Sequence, residues 1–239
     1  MFDKSADLYD LIYSSFKDYA DEASKVRSLI HLFATSGGNA LLDVACGTGE
    51  HLVHLRDGFN VQGLDLDEGL LEVVRGKLPD VPLHHADMAA FDLGQQFDAV
   101  TCLFSAISYL PDVATLNKAI AAMTRHLKPG GVLIIEPFIA REKIRTPHVG
   151  AVFIEQEFLK VARFSRITVD GFMADIEFAY MVGTPEGVTH FVEHHITALF
   201  THDEYMAAFE GAGLKTTHDP EGIFGRGLYI GVKLDEEPA

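Results

Sequence analysis

The chain has 239 residues, 48% of them hydrophobic, and a formal net charge of −16. That length allows one domain with a large buried core, and the charge excludes general affinity for DNA, RNA or anionic membranes, which need clustered Lys and Arg. No apolar run nears the roughly 18 residues of a membrane span, no signal pattern opens the chain, and Cys46 and Cys102 imply neither disulfide nor zinc, so a cytoplasmic protein with a small-molecule partner is expected.

Residues 2–16 interleave Tyr9, Tyr13 and Phe16 with polar side chains. Near Asp18 a helix begins on which Tyr19, Ala23, Val26, Ile30 and Phe33 recur at helical spacing, and Ser36-Gly37-Gly38-Asn39 ends it. Leu41-Leu42-Asp43-Val44 reads as a strand buried on both faces. It breaks off in Ala45-Cys46-Gly47-Thr48-Gly49 before a helical pattern resumes. Gly47 and Gly49 would permit a tight turn and a close approach to a ligand. Leu52 stands where a dinucleotide fingerprint carries a small residue, so the loop suits a nucleoside without a pyrophosphate. Residues 60–66 form the second strand. Their Asp65 lies at about the separation at which a carboxylate meets ribose hydroxyls.

Asp67 can cap a helix bearing Leu70, Leu71 and Val74 that finishes before Pro79. Residues 81–85 make a third strand ending at Ala86-Asp87-Met88, and residues 97–103 a fourth. After Phe104-Ser105-Ala106-Ile107-Ser108-Tyr109-Leu110, Asp112 starts a helix with Val113, Leu116, Ile120, Met123 and Leu127 on one face. Lys128-Pro129-Gly130-Gly131 closes it, and residues 132–136 are the fifth strand. Five alternations of strand and helix argue a parallel, doubly wound α/β sheet.

Pro137 breaks the rhythm. Residues 152–182 are β-rich, and Asp170-Gly171 between two such runs signals a hairpin. Inserted after strand five, this material is expected to form an antiparallel β flap over the active-site end. Residues 194–200 are expected to return to a strand. Thr201-His202-Asp203-Glu204 is a capping box opening a helix with Tyr205, Ala208 and Phe209, which stops at Gly211-Ala212-Gly213. The last strand spans residues 227–232, and the acidic tail Asp235-Glu236-Glu237-Pro238 is expected to fray.

Asp43-Val44-Ala45-Cys46-Gly47-Thr48-Gly49 followed by Gly63-Leu64-Asp65 resembles the class I S-adenosylmethionine (SAM) methyltransferases. The resemblance implies a mostly parallel seven-stranded sheet within a single domain, residues 1–239: a helical cap (1–36), a SAM-binding core (40–137), a substrate flap (138–195) and the rest of the core (196–239). It implies SAM as cofactor, held by Tyr13, Tyr19, Ala45, Gly47, Gly49, Asp65, Leu66, Asp87, Met88 and Phe104. Asp87 would accept from the adenine amino group while Met88 offers a polarizable face. No metal is expected, because the twelve histidines show neither H-E-x-x-H nor a cysteine-rich context.

Further stretches are similar to the N,N-dimethyltransferases of dideoxy amino sugars linked to thymidine diphosphate. They are Leu8-Tyr9-Asp10-Leu11 with Lys17-Asp18-Tyr19, residues 42–49, residues 196–214, and Gly225-Arg226-Gly227-Leu228. Where that family carries two tryptophans after Glu136-Pro137, this chain has Phe138 and Ile139. The resemblance implies transfer of methyl to an amine, with Tyr13 and Tyr109 lining the transfer path and Phe138, Arg141, Lys143 and Arg226 contacting the substrate. Arg226 would hold a diphosphate far from the two tyrosines. Residues 104–110 stand where amino-methyltransferases acting on nucleic-acid bases carry an N-P-P-Y type of tetrapeptide, which disfavours such bases as acceptors. With no His and carboxylate pair at a recognisable spacing near the strand ends, no dedicated base is expected. Two other readings stay open: a methyltransferase for another small acceptor (carboxylate, hydroxyl or small amine) and a non-catalytic SAM-binding protein. Oligomeric state is also left open, a homodimer being one option.

Overall fold

The computed structural model describes residues 5–141 and 143–234; Phe2 and the acidic tail lie outside them. Two helices, α1 (Ala6–Tyr13) and α2 (Tyr19–Phe33), precede the alternating part of the chain. This consists of β1 (Ala40–Val44), α3 (Glu50–Leu55), β2 (Asn60–Asp65), α4 (Glu68–Lys77), β3 (Leu83–His85), β4 (Phe97–Cys102), a 3-10 turn (Ala106–Tyr109), α5 (Val113–Arg125) and β5 (Leu127–Ile135). The caps read from sequence are formed: Asp18, Asp67 and Asp112 each accept backbone N–H groups of the first turn of α2, α4 and α5.

The five strands are parallel, and in β1, β2, β4 and β5 the Val, Leu and Ile residues are buried on both faces, as a sheet covered on both sides requires; β3, at the edge, has only the half-buried Leu83. On one side the sheet packs against Leu116, Ile120 and Met123 of α5. On the other it packs against Val26 of α2, Leu52 of α3 and Leu71 and Val74 of α4. The chain then adds α6 (His202–Gly211), β10 (Leu214–Asp219) and β11 (Leu228–Lys233). The Thr201 capping box is complete: its hydroxyl accepts the Glu204 N–H at 3.2 Å, and the Glu204 carboxylate accepts the Thr201 N–H at 2.7 Å. Strand order is β10-β11-β5-β4-β1-β2-β3, with β11 antiparallel to β5 and to β10. The order reverses beside β1, so a ligand crevice is expected outside the carboxyl ends of β1, β2 and β4.

Between β5 and α6 stands a separate four-stranded antiparallel sheet: β6 (His148–Glu155), β7 (Lys160–Asp170), β8 (Met173–Thr184) and β9 (Gly187–Ala198). Its inner face carries Val161, Arg163, Ser165 and Ile167, then Ala174, Ile176, Phe178 and Tyr180, then Phe191, Glu193, His195 and Thr197. Each residue lies beside its cross-strand partner or two positions along. The outer face exposes Phe153, Phe164, Met181, Val192 and Ile196.

Four expectations need correction. Residues 194–198 do not return to the core sheet; they end β9, whose two mixed faces hid it from a simple alternation test. The strand β10 went unread because Leu214 is its one large apolar residue, as befits an edge strand. Leu127 belongs to β5 and not to the helix before it. The hairpin turn is Gly171-Phe172, one residue later than Asp170-Gly171. Asp170 pairs with Met173, and Gly171 at φ +60° takes the first central position, where a type II′ turn wants glycine.

Candidate active site

A cavity of about 1280 Å³ opens at the carboxyl ends of the parallel strands and is roofed by the inner face of the flap. Its floor is the loop after β1. Ala45 and Gly47 both have φ +57°, and a Cβ on Gly47 would meet nothing within 4 Å, so that position needs glycine for its backbone conformation. The loop is tied to the end of β2: Gly47 N–H donates to Asp65 Oδ2 at 2.8 Å, and Asp67 N–H donates to Oδ1 at 2.9 Å. Asp65 thus braces the turn and keeps lone pairs for a ligand. Burial pushes its carboxyl upward, and those two N–H bonds work against the push. Behind it in β1, fully buried Asp43 is driven to about 6 by burial, against the opposing effects of His51 and of the Thr101 hydroxyl, which donates to it at 2.7 Å.

Strain marks the end of β4. Phe104 (φ +51°) and Ser105 (φ +65°) are consecutive non-glycine residues in the left-handed region. Three ties hold them there: Phe104 N–H to Glu136 Oε2 at 2.7 Å, Ser105 Oγ to Pro137 O at 2.9 Å, and Arg226 Nη1 to Ser105 Oγ at 2.7 Å. Arg226 reaches in between Gly225 (φ +72°) and Gly227 (φ +88°). Its guanidinium lies 5.5 Å from the Phe104 ring, which Tyr13 touches edge-on at 4.9 Å. Arg226 and Tyr13 therefore share one aromatic neighbour, and the expected separation between them is not what the fold provides.

Tyr13, Ala45, Gly47, Asp65, Leu66, Asp87, Met88, Phe104, Tyr109, Phe138, Lys143 and Arg226 all line the cavity. Tyr19 does not; it borders a small annex with Asp43, Thr48 and His51, where its buried hydroxyl finds no partner among the described residues. Arg141 and Gly49 line neither space. Arg141 is exposed. Gly49 is required for helix packing, since its Cβ would stand 2.9 Å from Val74 Cγ1 and its φ is +79°.

Residues 41–131 match the family model described as a methyltransferase domain. Over 230 residues the chain is 41% identical to a dTDP-3-amino-3,6-dideoxy-alpha-D-glucopyranose N,N-dimethyltransferase of Streptomyces fradiae, spanning 95% of this chain and 90% of that one. It is 41% identical to a dTDP-3-amino-3,4,6-trideoxy-alpha-D-glucopyranose N,N-dimethyltransferase of Streptomyces venezuelae, spanning 95% and 97%. The chain belongs to the nucleotide-linked amino-sugar N,N-dimethyltransferase family. Among solved structures, DesVI of Streptomyces venezuelae superposes with a TM-score of 0.92 at 41% identity, covering 96% of this chain and 98% of that one. SAM-bound CalS10, an amino pentose methyltransferase of Micromonospora echinaspora, gives 0.88 at 40% identity, covering 95% and 96%.

As a member of this family the chain is a SAM-dependent methyltransferase. The site fits that cofactor: a bare glycine turn, the Asp65 carboxylate beside it, apolar Leu66 and Met88 on the wall, and the unpartnered Tyr19 hydroxyl in the annex. Sequence reasoning missed the flap's contribution. Arg163 of β7 is only 6% exposed, with its guanidinium 5.2 Å from the Tyr13 ring and 4.6 Å from that of Phe178. Its Nε and Nη1, and the Thr197 hydroxyl on the same cavity wall, have no hydrogen-bond partner among the described residues. Period-2 alternation through Arg163 and Ser165 was the available signal.

Proposed function

We propose that this methyltransferase places two methyl groups on the amine of a deoxy amino sugar carried by a nucleoside diphosphate. The observation behind this reading is the separation of charge inside the cavity. Its carboxylates, Asp65, Asp67, Glu68 and Asp87, all stand at or after the carboxyl ends of β2 and β3, on the side proposed for the nucleoside of SAM. Its cations Lys143, Arg145, Arg163 and Arg226 all come from the opposite side, after β5, in the flap and before β11. The buried Arg163 guanidinium, whose Nε and Nη1 have no hydrogen-bond partner among the described residues, costs stability unless an anion meets it.

In this reading Asp65 accepts from ribose hydroxyls, while Leu66, Asp87 and Met88 border the base. Tyr19, Ala45, Gly47 and Phe104 contact the remainder of the cofactor. Bound SAM supplies a methyl group already activated on a sulfonium. Arg163 and Arg226 neutralise the diphosphate, and Lys143 adds a more exposed, salt-sensitive contact. Phe138 borders the sugar, and Tyr13 and Tyr109 close the space in which the amine is aligned. Two buried free thiols, Cys46 and Cys102, suit the cytoplasmic location suggested by the sequence.

Incubation with SAM and either dTDP-3-amino-3,6-dideoxyglucose or the free amino sugar tests the reading. Release of S-adenosylhomocysteine with a dimethylated product from the nucleotide-linked form alone supports it. Equal turnover of the free sugar removes the anion-binding role.

A further inference from the structure

Tyr109 is joined to a buried polar row on the inner face of the flap. Its hydroxyl oxygen lies 2.8 Å from His195 Nδ1. The other ring nitrogen, Nε2, faces the Glu193 carboxylate at 3.8 Å, and Ser5 Oγ donates to that carboxylate at 2.7 Å. Glu193 and His195 stand two apart on β9 and so share a face. His195 is wholly buried and Glu193 is 8% exposed. Around the imidazole are Phe178 of β8 (ring centroids 5.2 Å apart), Arg163 of β7, Glu193 of its own strand and Tyr109 of the 3-10 turn.

We infer that His195 and Glu193 are positioning residues: they hold the Tyr109 hydroxyl with its proton turned away from the cavity, so that the phenol oxygen accepts an N–H of the methyl-acceptor amine. This rests on the amine reading above. The carboxylate favours the ring proton on Nε2, which leaves Nδ1 as an acceptor. The proton between Nδ1 and the phenol then belongs to Tyr109. The oxygen lone pairs that remain are available to the cavity, which Tyr109 lines. An amine that must aim its own lone pair at a methyl donor has only N–H groups to offer its surroundings, and an acceptor is their complement.

A proton relay is the rival use of the same atoms, and the directions in which burial moves both groups oppose it. Burial pulls His195 below its ordinary range, with Glu193 opposing that pull, while burial holds the Tyr109 phenol well above its own. An alkylammonium, ordinarily a weaker acid than an imidazolium, would have to pass its proton uphill to an imidazole whose basicity burial lowers further. The row therefore works by orientation. Primary and secondary amines both carry an N–H for Tyr109; a tertiary amine carries none, so the contact is lost after two transfers.

The test uses the full chain, SAM and dTDP-3-amino-3,6-dideoxyglucose. His195→Phe removes the acceptor and keeps a ring, whereas His195→Asn retains an acceptor near the Nδ1 position. We expect His195→Phe to lower kcat by roughly ten-fold or more with the Kd for SAM unchanged, and His195→Asn to recover most of the loss. Nitrogen-15 NMR of the wild-type protein, with the His195 signals assigned by their absence in the Asn variant, should show a neutral ring protonated on Nε2. A ring protonated on Nδ1, wild-type kcat in the Phe variant, or equal loss in both variants overturns the inference. If the wild-type enzyme fails to methylate this acceptor, the substrate reading falls, while the NMR measurement still decides the orientation of Tyr109.

Discussion

Asp43 shows at the scale of one residue how the ligand loop is built on an unfavourable burial. Its carboxyl is raised from 3.8 to about 6 by burial, so between those values the folded chain retains a proton that the unfolded chain has released. The stability this confers is complete below pH 4 and is lost as pH rises through 6. In Asp43→Asn the amide oxygen can still accept from Thr101 and nothing titrates. Unfolding by urea should show this variant gaining about 2.5 kcal/mol on the wild type between pH 4 and pH 7. A constant difference would show that Asp43 is not desolvated.

Asp65 and Arg226 differ in how well sequence foretold them. The spacing of Asp65 after the glycine loop named a ribose ligand, but not its bonds to the Gly47 and Asp67 N–H groups. Asp65→Ala should weaken SAM binding by about 1.5–3 kcal/mol and, by freeing the turn it braces, also lower the Tm. For Arg226, the family resemblance pointed to an arginine that holds a ligand; its bond to Ser105 links residues 121 apart and is visible only in the fold. Arg226→Ala should therefore raise the KM of the acceptor and, by freeing the strained Phe104-Ser105 pair, also weaken SAM binding in calorimetry.

At the scale of elements, the helices and parallel strands were legible because their signals are local: Asp caps, apolar runs and glycine stops. The flap was legible only as β-rich material, since β9 is polar inside at Glu193, His195 and Thr197 and apolar outside at Val192 and Ile196. That inversion belongs to the site and defeats the usual inside-outside rule. The contact between α3 and α4 gives the sharpest test at this scale. Gly49→Ala places a Cβ 2.9 Å from Val74 Cγ1 on a backbone at φ +79°. It should destabilise the chain by more than the roughly 1–2 kcal/mol that the left-handed conformation costs. In a double-mutant cycle with Val74→Ala the excess should vanish. Strict additivity would mean that Gly49 is required for its backbone alone.

Across the whole molecule, an acidic exterior encloses a cavity with an acidic half and a cationic half, and the two halves are assembled from segments far apart in sequence. Composition suggested the small substrate, and the motif pair suggested the cofactor. The clustering of Arg163 with Arg226 could not be read, because it depends on how the flap sheet closes over β4. The central claim is that this cavity holds cofactor and nucleotide-linked amine together, with the amine at Tyr109. A crystal structure of the full chain with S-adenosylhomocysteine and dTDP-3-amino-3,6-dideoxyglucose measures it directly. It should place the ribose on Asp65, the diphosphate against Arg163 and Arg226, and the sugar nitrogen within hydrogen-bond distance of the Tyr109 hydroxyl. A diphosphate lying outside the cationic half, or an amine turned away from Tyr109, would contradict the claim.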